Sequence, residues 1–198
     1  MKKSKVFVII AIVICGVLLV SSVVFLSLNP RFFENIQYEV SYSKMLAEMV
    51  SDANEVIDRA DDTAETGGAA DAYYKAFLRS YSEYIELSDE TRVLLPTDSV
   101  SIPDKDVLYD KIKSFCESKG KEVVAEPYQS LKDHGFIVVE ELQWTPDYNG
   151  LYIGLYSHEG EVTKNKIEIY AGSSAGATYT FEKKNGTWEL TMVGEWMS

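Results

Sequence analysis

The stretch "VFVIIAIVICGVLLVSSVVFLSL", Val6 to Leu28, runs for 23 residues without a charge. As a helix it would extend roughly 34 Å, enough to cross a hydrocarbon core of about 30 Å. Lys2, Lys3 and Lys5 precede it, and every acidic residue of the chain lies beyond it. Positive charge on the short leading side predicts a cytoplasmic N-terminus and an extracytoplasmic remainder. The alternative is a cleaved signal peptide, with Val20 and Ser22 forming the cleavage site and a secreted product. Such peptides have a shorter apolar core, of about 7–15 residues, and cleavage here would leave a mature chain opening on "VVFLSL" with no polar spacer. A lipoprotein needs a small residue before its cysteine, and Ile14 stands before Cys15. The expectation is therefore an uncleaved signal-anchor over residues 1–29, with residues 6–28 in the membrane.

Beyond the anchor the chain is acidic. Three of the 19 basic side chains precede the run, so the rest are outnumbered by 31 acidic ones. Nucleic-acid binding needs clustered lysine and arginine, which excludes that class of partner. Anionic lipid headgroups would repel the same surface. A protein partner or a cationic ligand fits it better, although net charge also simply maintains solubility. Cys116 is the one cysteine outside the apolar run. It falls on the apolar side of a predicted helix and reads as a small buried hydrophobe.

The remainder divides into a helical first half and a strand-rich second half. Asn29-Pro30 is a helix-start signal. Apolar residues then recur at helical spacing from Ile36 through Val40, Leu46, Met49, Ala53 and Ile57 to Ala60, predicting a membrane-proximal helix within residues 30–66. Its acidic face lacks the glycine and alternating oxygens of a calcium loop. Gly67-Gly68 interrupt, and "AADAYYKAFLRSYSEYIEL" predicts a second helix with Ala70, Tyr73 or Tyr74, Phe77, Tyr81 and Ile85 on one face, forming an antiparallel hairpin with the first. A short strand at Val93-Leu94-Leu95, a helix from Pro103 to Lys119 and a further turn or two from Pro127 to Gly135 complete this half.

Beyond Gly135 the chain predicts an antiparallel meander of about five strands: "FIVVEELQW", "LYIGLYS", "NKIEIYA", "ATYTFEKK" and "TWELTMVGEW". Pro146 to Gly150, His158 to Gly160, Gly172 to Gly176 and Asn185-Gly186 supply the turns, the last being the strongest hairpin signal. Alternation assigns Leu151, Ile153, Leu155, Ile167, Ile169, Tyr179, Phe181, Trp188, Leu190 and Met192 to the buried face. Tyr152, Tyr156 and Tyr170, with Thr178, Thr180, Glu189 and Thr191, take the other. The three tyrosines are the candidate ligand or partner surface, although tyrosine is also an ordinary strand former. The predicted fold class is α+β: a transmembrane helix (residues 1–29), a membrane-proximal helix (30–66) and an extracytoplasmic domain (67–198) whose helices pack on the meander.

Catalytic motifs do not survive their context. Gly172-x-Ser174-x-Gly176 matches the pattern of a nucleophile elbow, but an elbow joins a strand to a helix and its histidine partner comes later in the chain. Here a period-two strand comes next, and the last histidine is His158. His134 and His158, with one cysteine, do not supply a zinc set. Glu140 and Glu141 point to opposite faces of a strand, which is wrong for paired carboxylates. No P-loop or dinucleotide fingerprint occurs. No catalytic residue, metal ligand or cofactor is expected.

The ending "TYTFEKKNGTWELTMVGEW", with its Lys-x-Asn-Gly turn and Gly-x-Trp strand, resembles the closing hairpin of bacterial membrane-anchored surface proteins. It is also similar to the end of the nuclear-transport-factor-like, or cystatin-like, cone fold. That resemblance covers roughly residues 70 to 198. It implies initial helices packed into a bent antiparallel sheet, a pocket, and a bacterial cell-envelope setting. Members of such a fold are enzymes, binders or assembly modules. The expected function is a non-catalytic, membrane-anchored binding or accessory module. The alternatives are an immunity-type inhibitor and a pocket enzyme with unidentified acid–base residues.

Overall fold

The computed structural model describes residues 30–60, 68–139, 146–158, 162–172 and 175–197, with side chains described from Tyr38 to Trp196 within those ranges. The apolar run at residues 6–28 lies outside them. So do Glu140, Glu141, Ser173 and Ser174. Among the described residues no helix is long and apolar enough to cross a membrane.

The described architecture is α+β. Helix α1 spans Pro30–Ala60. Two compact units divide within it, after Met45. In the first unit Tyr38, Val40, Tyr42 and Met45 are exposed, and the Tyr38 and Tyr42 rings stack one helical turn apart. In the second unit Ala53 and Ile57 are buried in the core, and Arg59 pairs with Glu83. The segment joining α1 to the next helix lies outside the described residues, as does the connection of the expected hairpin.

Helix α2, Ala69–Leu87, is the central pillar of the second unit. The expected face, Ala70, Tyr73, Tyr74, Phe77, Tyr81 and Ile85, is buried throughout, and Asp71, Ala72, Ala76, Leu78 and Ser82 are buried as well. A helix enclosed on most sides needs neighbours on most sides. Helix α3, Lys105–Ser118, packs Leu108, Ile112, Phe115 and Cys116 toward it, and Phe115 meets the Phe77 ring edge-on at 5.6 Å. Burying a ring such as Phe77 contributes about 2–3 kcal/mol.

The start of α2 is capped from a distance. Asp104 Oδ2, just ahead of α3, accepts a hydrogen bond from the Ala70 N–H at 3.0 Å. A carboxylate there satisfies an orphan donor and complements the helix dipole. The approach is so close that a Cβ on Gly68 would lie 1.9 Å from that oxygen.

Among the described residues the strands form three sheets rather than one meander. Strand β1, Arg92–Pro96, lies at the centre of a three-stranded parallel sheet between β2, Glu122–Glu126, and β5, Leu151–Tyr152. Val93, Leu94 and Leu95 are all buried, as a doubly covered parallel strand requires. Between β2 and β5 come the short helix α4, Tyr128–Asp133, and the antiparallel pair β3, Ile137–Val138, with β4, Asp147–Tyr148. The third sheet has the order β6-β7-β8-β9: Leu155–Tyr156, Lys166–Gly172, Ala175–Lys184 and Thr187–Met197. It is antiparallel throughout, as the short connections require. At its closing turn Asn185 has φ of 53° and Gly186 φ of 92°, the pair of positive values a type I′ hairpin demands.

Two departures from strict alternation have physical causes. A bulge in the β8–β9 ladder shifts the register, pairing Phe181 with Leu190 but Thr180 with Met192. Thr191 is the extra residue, so Val193 enters the core and Met192, expected inside, is 40% exposed. Thr180, expected on the open face, is buried. The second departure is Gly154. "LYIGLYS" reads as one strand, yet Gly154 divides it into β5 in the parallel sheet and β6 in the antiparallel one. The crossing is crowded: a Cβ on Gly154 would lie 2.3 Å from the Gly172 carbonyl oxygen. Helix α2 holds it. Tyr81 Oη donates to the Gly154 carbonyl at 2.9 Å and accepts from the Gly154 N–H at 3.0 Å. Two turns earlier Tyr73 shares a hydrogen bond with Ser157.

Candidate functional site

Gly154 also decides the fate of the tyrosine face. Tyr156 and Tyr170 pair across the β6–β7 ladder and stack with ring centroids 5.2 Å apart. His158 lies edge-on to both rings, and Tyr170 Oη donates to Glu168 Oε1 at 2.9 Å. Tyr152 belongs to the other sheet. It stacks on Tyr148, with centroids 4.5 Å apart, and meets Tyr128 edge-on at 6.5 Å. This second aromatic group covers a small separate core of Leu94, Leu131 and Ile137. Of the three predicted surface residues, the structure thus brings Tyr156 and Tyr170 together and assigns Tyr152 to different company.

Tyr152 lines a cleft of about 460 Å³ between the C-terminal half of α2 and the β4–β5 turn. Tyr81 and Tyr84 contribute from α2, Tyr148 and Tyr152 from the strands, and the carboxylates of Glu90 and Asp147 complete the wall. Tyr84, Glu90 and Asp147 are exposed and Tyr148 and Tyr152 half-buried. Burial, and after it the neighbouring phenols, hold Tyr148 and Tyr152 above the usual tyrosine range. Burial does the same to Tyr81. All three stay neutral at physiological pH, so fixed charge in the cleft comes from the carboxylates. The residues from Pro146 to Gly150 read in the sequence as a turn only, whereas Asp147–Tyr148 pairs with β3 as a short strand. That this stretch carries both an aspartate and a tyrosine was the available signal.

Two other hollows are less distinctive. A groove of about 640 Å³ runs along α3, but its cations are engaged: Lys119 pairs with Glu86 at 2.8 Å and lies over the Phe115 ring, and Lys111 lies over Tyr74. A cleft of about 340 Å³ beyond Tyr81 presents Arg79 and Glu195, one charge of each sign, over the small residues Gly172, Ala175 and Gly176.

Chemistry at the suspected catalytic positions is bland. Gly172 pairs with Gly176 across the β7–β8 hairpin. Ser174 lies outside the described residues, but the elements on either side of it are both strands, not the strand and helix of an elbow. His134 is exposed and lies 2.9 Å from Glu126, whose carboxyl is held low by hydrogen bonds from Ser130 and His134. Cys116 is fully buried, and desolvation pushes its thiol up to about 12. Among the described residues no three His, Cys, Asp or Glu side chains gather as a metal would require. The chain matches no family model, no curated protein and no solved structure.

Proposed function

We propose that this chain is a single-pass, N-in membrane protein whose extracytoplasmic domain is a non-catalytic binding or accessory module of a cell envelope. The anchor rests on the 23-residue run and its leading lysines. The observation that carries the binding reading is the state of the helix–sheet interface. Phe77, Ile85, Ile167, Ile169 and Phe181 are fully buried there and pack as one core. A pocket enzyme of a cone fold would keep a cavity at that place, and the acid buried on α2, Asp71, is paired with Lys75 at 3.1 Å. What the second unit offers outward instead is tyrosine, in the Tyr156–Tyr170–His158 patch and the Tyr148–Tyr152 cleft. Tyrosine presents large apolar area at low entropic cost and retains a polar tip, which suits recognition.

The test uses the full chain in its own membrane. A photo-crosslinking amino acid replaces Tyr156 or, in a second variant, Tyr84, and a C-terminal reporter active only outside the cytoplasm reports topology. The expected result is an active reporter, an intact N-terminus by mass spectrometry, and one discrete adduct. A mature N-terminus near Val23 refutes the anchor, and a smear or no adduct from both Tyr156 and Tyr84 positions refutes the module.

A further inference from the structure

We infer that the cleft between α2 and the β4–β5 turn recognises an organic cation, a guanidinium or alkylammonium head. The inference rests on the binding-module reading and deepens it. Among the described residues lining the cleft there is no lysine, arginine or histidine, while Glu90 and Asp147 are both present. Neither carboxylate forms an ion pair among the described residues. An anion entering here meets two like charges, and the ammonium beside Glu90, Lys121 Nζ, is held by the Ser88 and Glu90 carbonyl oxygens at 2.7 Å each. A cation meets two carboxylates and the exposed ring of Tyr84, whose quadrupole attracts positive charge by about 0.5–1 kcal/mol at partly exposed sites.

The occupant is organic rather than a bare metal ion. Two carboxylates are too few for a divalent oxygen cage. Aromatic walls favour a weakly hydrated, flat or alkylated cation, and guanidinium adds bidentate hydrogen bonding to a carboxylate. A volume of about 460 Å³ admits a side-chain-sized head and not a folded element. The neighbouring cleft provides a built-in comparison. It shares Ser80, Tyr81, Gly172 and Ala175 but holds Arg79 beside Glu195, so its charge is balanced and it lacks this selectivity.

Full-length protein in detergent micelles is titrated calorimetrically with butylguanidinium, with butanol and butyrate as neutral and anionic controls of similar shape. Only the cation is expected to bind saturably, and more weakly as salt rises. The double variant E90Q/D147N should weaken it about tenfold, the scale of two partly screened charge pairs. Tyr84→Leu, at a position 58% exposed on α2, should weaken it about threefold through loss of the ring face alone. Glu195→Gln, in the neighbouring cleft, should leave it unchanged. Equal binding of butanol, no binding of the cation, or undiminished binding by both the E90Q/D147N and Tyr84→Leu variants overturns the inference. A capped peptide with a central arginine separates sources: tighter binding than butylguanidinium identifies a protein side chain, and equal binding a free small cation, each sustaining the site. A discrete adduct at Tyr156 without cation binding would remove this inference and leave the module standing.

Discussion

Replacing Tyr81 by phenylalanine removes one oxygen and tests what holds the two larger sheets in register. That oxygen makes two hydrogen bonds to a single residue, Gly154, at 2.9 and 3.0 Å. In the variant the Gly154 carbonyl keeps a partner, since the Gly172 N–H also donates to it at 3.0 Å. The Gly154 N–H is left buried and unpaired. Losing a net hydrogen bond costs about 1 kcal/mol, and orphaning a buried donor adds about 1–3 kcal/mol, for a total of about 3 kcal/mol. At about 3 °C per kcal/mol for a domain of this size, the melting temperature should fall by about 9 °C. The assay is thermal unfolding of the full chain in micelles followed by tryptophan fluorescence, with amide exchange at Gly154 measured in parallel. Exchange there should accelerate by about two orders of magnitude, the equivalent of 3 kcal/mol. Tyr84→Phe, on the exposed side of the same helix, should change stability by no more than about 0.5 kcal/mol. A drop in Tyr81→Phe no larger than that of Tyr84→Phe, with exchange at Gly154 unchanged, would refute the argument that this hydroxyl pins the crossing.

Other consequences are open to direct measurement. Gly68→Ala should cost about 1 kcal/mol in the wild-type background, because its methyl displaces Asp104 from the Ala70 N–H, but almost nothing once Asp104→Ala has removed the cap; a urea double-mutant cycle reads the coupling. Gly186→Val forces a branched side chain to φ near 92° and should destabilise the closing hairpin by about 2 kcal/mol in the same assay. With its thiol pushed up to about 12, Cys116 should resist alkylation by iodoacetamide at pH 8 in the folded protein and react once denaturant is added. Ser130→Ala removes the first cause of the lowered Glu126 carboxyl, so nuclear magnetic resonance titration should show that group moving back up. Since its folded value is depressed, its contribution to stability is present above the ordinary carboxylate range and lost as pH falls through the lowered value.

Elements defined by local signals are legible in the chain. Gly68, the run of apolar positions to Ile85 and the absence of proline delimit α2 at Ala69–Leu87, and Asn185-Gly186 announces the β8–β9 hairpin. Pairing between distant segments is not. The partners of β1 lie in Glu122–Glu126 and Leu151–Tyr152, and nothing in the composition of "EVVAE" marks it as the neighbour of "RVLLP". Gly154 lies inside "LYIGLYS", which reads in the sequence as one strand. Its role depends on Tyr81, which reads from sequence as one more core aromatic. That single ambiguity places Tyr152 beside Tyr156 in the period-two pattern and hides its stacking on Tyr148. The candidate cleft depends on the same long-range pairing, since its carboxylates and phenols come from two distant stretches, residues 81–90 and 147–152.

The bulge at Thr191 has a consequence for life in crowded surroundings. Strand β9 is eleven residues long and stands at the end of its sheet, with one side unpaired among the described residues. A flat edge of that length is a template on which another chain can polymerise. Two features spoil the template. Lys75 Nζ occupies the Trp188 carbonyl at 3.1 Å, and the extra residue at Thr191 twists the strand midway, so an incoming strand cannot keep step along its length. The irregularity that defeats the period-two pattern therefore also acts as a safeguard against fibrous self-association.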